Sequence, residues 1–327
     1  MFRSNISIPS YFSGIIALKQ NNRILFKKEY RIRNCSTSTQ KPTEAVFCIG
    51  SLTKMFTACA ILLLEEQKQL CTGDFIEPYF PEYPQARKIT IHHLLSHTSG
   101  MINYTDCEEI RSLRAKEISP TELIKTFIKK PLKFLPGSQY SYSNSGYILL
   151  GSIIEQVSKL SLSTFLKKYV FNPLHMLSTQ YGVPIKKKRI KGYSLTEQKE
   201  KIQASFHHHS FAYAAGGIYS TVEDLLLWDQ NLFKHQLLTP ESLNKMYHLH
   251  CFTNAEQTMG YGYGLNVEWL SYHNHPIKHI WHRGQIEGFS SLYSRYLENN
   301  ITLIILTNND RLMDEIKNIE KELIVFA

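Results

Sequence analysis

Residues 47–70 read FCIGSLTKMFTACAILLLEEQKQL. From Ser51 onward the apolar positions Leu52, Met55, Phe56, Cys59, Leu62 and Leu63 recur at steps of three and four, the spacing of one helix face, which predicts a long amphipathic helix ending near Gln69. The helix opens on S-x-x-K, with Ser51 in its first turn and Lys54 one turn on. A serine becomes a nucleophile only when a nearby base takes its proton, and a lysine can do so when burial lowers its pKa. The same pattern occurs as Ser38/Lys41 and Ser242/Lys245, so context must choose. Ser38 lies in the polar stretch CSTSTQKPT, which offers nothing to bury a lysine. Ser242 follows Thr239, Pro240 and Glu241, the ordinary dressing of a helix start. Ser51 follows Gly50 and begins the most apolar helix of the chain. There Lys54 can lie on the buried side, and the helix N-terminus offers N–H groups to a developing oxyanion. The competing reading of Ser51 is a plain helix-capping serine.

Working outward, Phe12 to Lys19 and Arg23 to Tyr30 are β-rich runs separated by Gln20, Asn21 and Asn22, which predicts an N-terminal hairpin. A polar loop, Asn34 to Thr43, leads into the helix. Thr90 to Gln180 reads as mostly helical, punctuated by Pro120, Pro131, Pro136 and Pro173. After a further helix at Thr221 to Phe233 come three β-runs, His279 to Gly284, Gly288 to Tyr296 and Ile301 to Thr307. A closing helix from Arg311 carries Leu312, Ile316, Ile319 and Leu323 on one face. Two strands at the start and three at the end predict one antiparallel sheet of about five strands assembled from both chain ends, with helices flanking it and a mostly helical insertion. The expected division is 1–85 and 206–327 as the two parts of an α/β sandwich, with 86–205 as the helical region.

The chain has 327 residues, 43% apolar and 20% charged, with 16 Gly, 12 Pro and 12% aromatics, which excludes collagen-like, low-complexity and strongly disordered classes. Apolar stretches such as Ile61 to Leu64 and Ile301 to Leu306 fall far short of the roughly 20 residues that span a bilayer, so no transmembrane segment is expected. Lys and Arg exceed Asp and Glu by 37 to 28, a net charge of +9, with a local excess in Lys186, Lys187, Lys188, Arg189 and Lys191. No stacking aromatics or reading motif accompany that run, so it is taken as a solvated loop and no nucleic acid is expected as partner. Six cysteines, Cys35, Cys48, Cys59, Cys71, Cys107 and Cys251, form no C-x-x-C pair. They read as reduced structural thiols. Met1 to Ser13 lacks the continuous apolar core of a secretory signal, so the expected location is the cytoplasm, with export as the alternative if a leader was trimmed.

The stretch FCIGSLTKMFTACAILLLEEQKQL resembles the nucleophile helix of serine β-lactamases and penicillin-binding proteins, particularly the class C-like branch with its D,D-peptidases and esterases. ITIHHLLSHTSGM, FLPGSQYSYSNSGYILLGSIIEQVS, NPLHMLST, AAGGIYSTVEDLLLW, YGYGL and HRGQIEGFSS follow in the order of that family, so the resemblance runs over roughly residues 12–310. It implies a β-lactamase-like α/β fold and a Y-x-N motif. Y-x-N occurs at Tyr142-Ser143-Asn144 and at Tyr272-His273-Asn274, and only the first follows a P-G turn and precedes a helix. The resemblance implies that Tyr142 shares proton transfer with Lys54 and protonates the leaving group, and that Asn144 binds a substrate carbonyl. A lysine ammonium nearby is expected to lower the Tyr142 pKa. The third motif of the family, K-T-G, is matched by His282-Arg283-Gly284, the H-x-G variant. Gly284 would let substrate lie against the strand, and the Gln285 N–H would join that of Ser51 as an oxyanion hole. His282 stands where the family's fixed cation would be, and Arg283, next along the strand, should face the other way.

Other constellations lack the spacing that chemistry needs. His207, His208, His209, His248, His250 and Cys251 form neither H-E-x-x-H nor paired C-x-x-C, so no metal is expected. Gly260, Gly262 and Gly264 make no nucleotide fingerprint, and G-x-S-x-G is absent. The resulting expectation is a serine hydrolase, without cofactor, that acts on an amide or ester of a small molecule or peptide through an acyl-enzyme on Ser51. It would be of the D-alanyl-D-alanine carboxypeptidase, esterase or weak β-lactamase type. Whether Lys54 or Tyr142 is the first base stays open, as does the oligomeric state. The alternatives are a non-catalytic binding or scaffolding protein on the same fold, and an anion-surface or nucleic-acid binder using the Lys186 to Lys191 run.

Overall fold

The computed structural model of the chain describes residues 6–32, 45–182, 190–272 and 275–324. Ser38, Lys41, Cys35, most of the basic run and the last two residues of the second Y-x-N therefore lie outside the described residues. Eight strands form the main sheet: β1 (Gly14–Gln20), β2 (Arg23–Tyr30), β3 (Cys251–Phe252), β4 (Met259–Tyr261), β5 (Asn266–Tyr272), β6 (His275–Ile286), β7 (Phe289–Tyr296) and β8 (Ile301–Thr307). Their order is β2-β1-β8-β7-β6-β5-β4-β3, antiparallel throughout. The first strand pairs with the last, Gly14 against Thr307 and Gln20 against Ile301, so the sheet is closed by both chain ends as the hydrophobic runs imply. The added width comes from β3, β4 and β5. Two of these are only two and three residues long, and β5 interleaves Asn, Glu and Ser with apolar residues, too weak a pattern to read as a strand.

The central strands are buried on both faces because alternate side chains enter two different cores. Ile15, Ala17, Tyr293, Ile304 and Leu306 join the large core. Ile16, Leu18, Leu292, Leu303 and Ile305 point the other way. The large core holds helices α1 (Thr53–Glu66), α2 (Asn144–Ser158) and α4 (Val222–Leu232). The smaller core is closed by α5 (Met313–Ile324), whose stripe of Ile316, Ile319 and Leu323, with Leu312 just before it, is fully inside. Every residue of α1 from Thr53 to Leu64 is buried, so the helix is enclosed on all sides rather than amphipathic as expected, with Ala58, Ala60 and Ile61 inside as well as the stripe of three-and-four spacing. The stretch between Thr90 and Gln180 is helical in short pieces around α2, the only long one.

A second, three-stranded sheet joins Phe47–Cys48, Ile218–Ser220 and Gln180–Tyr181. It anchors the chain entering α1, because the Ile49 N–H donates to Ile218 O at 3.0 Å. Between this sheet and α1 the backbone makes one 3-10 turn, Gly50–Leu52.

Candidate active site

That 3-10 turn is pressed against the C-terminal half of β6. Gly50 has φ +51, a conformation that favours glycine, and a Cβ there would come within 3.2 Å of the Gln285 backbone N. At Gly284 a Cβ would lie 2.1 Å from Ile49 O and 2.3 Å from Ser291 Oγ, the hydroxyl that donates to Ile49 O. Room for substrate is therefore not what Gly284 supplies: its missing side chain lets the strand close onto the serine turn. The closure brings the Gln285 amide beside Ser51.

Lys54 is fully buried, and its Nζ lies 3.0 Å from Ser51 Oγ, 2.8 Å from Asn144 Oδ1 and 2.8 Å from Ala215 O. Burial holds its pKa well below 10.5. The Ala215 carbonyl is available because helix α3 (His209–Gly216) breaks at Tyr213, with φ 37 and ψ −129. The carbonyls past the break accept from α1, Ala214 O from Thr57 Oγ1 at 2.7 Å and Ala215 O from Lys54. The sequence signal for this acceptor was the A-A-G-G run at 214–217, which marks a helix end without saying what its carbonyls meet.

Tyr142 places its hydroxyl 2.9 Å from Ser51 Oγ, on the residue just before the segment that starts α2. Burial raises its pKa, and the Ser51 hydrogen bond offsets little of this, so the expected lowering is reversed. The physical reason is geometric. Lys54 Nζ sits over the face of the Tyr142 ring, 4.9 Å from its centroid, and is itself desolvated toward the neutral amine. Asn144 starts α2, with its backbone N–H donating to Asn103 Oδ1 at 3.0 Å. Its Oδ1 is taken by Lys54, which turns its amide N–H2 toward Thr105 and the cleft.

His282 is buried, and burial beside Lys54 holds its pKa down to about 3. Both ring nitrogens are engaged. Nδ1 donates to Arg283 O at 2.7 Å, and Nε2 accepts from the Tyr261 hydroxyl at 3.0 Å. Arg283 does face the other way, with its guanidinium 4.4 Å from the centre of the Trp281 ring and 3.9 Å from Glu320 of α5. The cavity on this side, about 410 Å³, is lined by Tyr140, Tyr142, Asn266, Trp281, His282 and Arg283, and the Arg283 guanidinium at its wall is engaged by Trp281 and Glu320. On the other side of Ser51 a cavity of about 450 Å³ runs past Asn144, Gln285 and Phe211 toward Arg114 and Glu287, which are paired at 2.8 Å.

The rival serine is accounted for differently. Lys245 lies 2.8 Å from both carboxylate oxygens of Glu65, and the Ser242 N–H donates to the capping Thr239 hydroxyl, so the pair is a helix start with a salt bridge. Among the described residues no three His, Cys, Asp or Glu side chains are grouped to hold a metal ion. No described helix is long and apolar enough to cross a membrane.

A family model described as Beta-lactamase matches residues 12–325. The chain belongs to the Beta-lactamase family. It is an enzyme of the serine hydrolase type. PbpX of Bacillus subtilis (strain 168), assigned by its name to the penicillin-binding proteins, is 30% identical over 300 residues, which take in 91% of this chain and 71% of the relative. Among solved structures, the penicillin-binding protein from Bacillus halodurans superposes with a TM-score of 0.79 at 24% identity, covering 97% of each chain. A D-amino acid amidase from Ochrobactrum anthropi SV3 gives 0.79 at 22% identity, covering 97% of this family member and 95% of the amidase. These two likenesses concern the fold.

Proposed function

We propose that this enzyme hydrolyses amides or esters through an acyl-enzyme on Ser51, with Lys54 as first base and Tyr142 as proton donor to the leaving group. The observation that carries the reading is the set of partners around Lys54. A neutral amine has two N–H bonds and one lone pair. Ala215 O and Asn144 Oδ1 can only accept, so they take the two N–H bonds, and the lone pair is left for the Ser51 hydroxyl. Ser51 Oγ then receives the Tyr142 O–H from the other side. In the proposed step Lys54 takes the Ser51 proton as Oγ bonds to the carbonyl carbon. The Ser51 and Gln285 N–H groups hold the oxyanion, and Tyr142 gives its proton to the departing nitrogen or oxygen. The Lys54 proton then restores Tyr142, and a water repeats the sequence to release the acid. The Asn144 amide N–H2 is the donor for a substrate carbonyl.

Tyr142 and His282 border the same cavity, so the leaving group is assigned to the side where His282 is neutral and where Arg283, though it lines the cavity, has its guanidinium engaged by Trp281 and Glu320. This supports substrates whose leaving group carries no carboxylate, such as D-amino acid amides and simple esters, over penicillins and peptides ending in free D-alanine. The D-amino acid amidase named above is consistent with that class. The test is kcat/KM for a D-amino acid amide, p-nitrophenyl butyrate, a D-alanyl-D-alanine peptide and nitrocefin. The uncharged leaving groups are expected to lead. A preference for nitrocefin that survives His282→Ala would overturn the substrate assignment.

A further inference from the structure

His97 stands outside the proton path yet touches it on three sides. Its carbonyl oxygen accepts the Ser141 N–H at 2.9 Å, and its ring Nδ1 accepts the Ser143 N–H at 3.2 Å. These are the two residues that flank Tyr142. Its ring packs against the Tyr142 ring with centroids 4.4 Å apart and is itself walled by Tyr147 at 5.1 Å and Tyr261 at 4.7 Å. The residue has φ +58 and is buried, and its Nε2 meets no hydrogen-bond partner among the described residues. A non-glycine residue in this backbone region with an unpartnered ring nitrogen is a costly arrangement for mere filling. Burial, with Lys54 and His282 close by, keeps the imidazole neutral, so Nδ1 is free to accept.

We propose that His97 is a positioning residue for Tyr142, gripping the peptide groups on either side of it and packing on its ring so that the phenol is held against Ser51. The proposal rests on the role given to Tyr142 above. Other contacts hold the same strand of chain: Gly137 N–H to Thr98 O at 2.8 Å, Ser143 Oγ–H to Ile102 O at 3.1 Å and Asn144 N–H to Asn103 Oδ1 at 3.0 Å. Loss of the His97 ring therefore leaves the segment docked but frees the Ser143 N–H and removes the ring that backs the phenol. A displacement of about 1 Å in a reacting group is enough to cost about 100-fold in rate.

The experiment compares His97→Asn with His97→Gln. Asparagine places an oxygen where Nδ1 now sits and tolerates φ near +58, whereas glutamine carries its amide to the position of Nε2 and leaves the Ser143 N–H unmet. Steady-state turnover of a D-amino acid amide and amide exchange at Ser143 are measured on both, and each is repeated in a Tyr142→Phe background. The Asn variant is expected to turn over the amide within about 3-fold of the parent. The Gln variant is expected to lose about 30-fold or more in kcat at near-constant KM, with faster exchange at Ser143, and to lose little further once Tyr142 is Phe. Equal rates in the Gln variant and the parent, or a full additional loss in the Tyr142→Phe background, overturn the proposal. If the Gln variant does not fold, the Asn variant decides, since a loss there as large as that of Tyr142→Phe also overturns it. Faster Ser143 exchange in Gln but not Asn, in a protein whose Ser51 never acylates, would leave the grip standing and bring down the functional reading instead.

Discussion

Replacing Lys54 with methionine keeps the length of the buried stem and removes the basic nitrogen that touches Ser51 Oγ. It also leaves Asn144 Oδ1 and Ala215 O without their donor, at about 1–3 kcal/mol for each unmet buried acceptor, partly offset because no amine has to be desolvated. The variant should fold, and its melting temperature is checked alongside the kinetics. For the rate, a lysine at its ordinary value of 10.5 would be neutral in only about 0.03% of molecules at pH 7. Each pH unit by which burial depresses that value raises the neutral fraction about tenfold. Only neutral Lys54 can take the Ser51 proton, so acylation must rise as pH increases through the native Lys54 pKa and level off before 10.5. Tyr142 has its pKa raised, so it keeps its proton over that range and adds no falling limb. The assay is the second-order rate of fluorophosphonate acylation from pH 5 to 11, corrected for spontaneous hydrolysis of the reagent. Lys54→Met should lower the plateau by at least about 100-fold, the usual scale of general base help, and abolish the rise. A parent profile with its midpoint at or above 10.5, or an unchanged profile in a folded Lys54→Met protein, would refute the neutral-lysine account.

Tyr142→Phe keeps the ring packed on His97 and removes only the hydroxyl 2.9 Å from Ser51 Oγ. Amide turnover should fall about 100-fold or more, and activated esters, whose leaving groups need no proton, should suffer less; equal losses on both would argue against proton donation. Gly284→Ala drives a methyl into Ile49 O and Ser291 Oγ, so the strand must back away from the serine turn. The expected result is a loss of about 1–3 kcal/mol in urea unfolding together with slower acylation, and unchanged values of both would show that the close approach is not what the glycine provides.

Much of this architecture was written in periodicity. The runs now seen as β1, β2, β7 and β8 were legible because each is long and strongly β-forming, and the stripe of α5 because Ile316, Ile319 and Leu323 repeat at helical spacing. The short edge strands β3 and β4 carry too few residues to show any period. In the site, the residues drawn together were those whose motifs name them: Ser51, Lys54, Tyr142 and Asn144 meet within 3.0 Å contacts, and Gln285 lies beside the serine turn. What motifs do not encode is environment. Desolvation decides that the Tyr142 pKa rises, and no local pattern reports how deeply a phenol will be buried. The Ala215 carbonyl and the His97 grip are supplied by backbone geometry at Tyr213 and at His97 itself, two positive-φ residues that no composition rule singles out.

The claim on which the rest depends is that Ser51 is the nucleophile. Intact-mass measurement after incubation with a fluorophosphonate, followed by peptide mapping, tests it most directly. A single adduct on the peptide carrying Ser51, absent in Ser51→Ala, is the predicted result. An adduct on Ser38 or Ser242, or none on the folded parent protein, would contradict it.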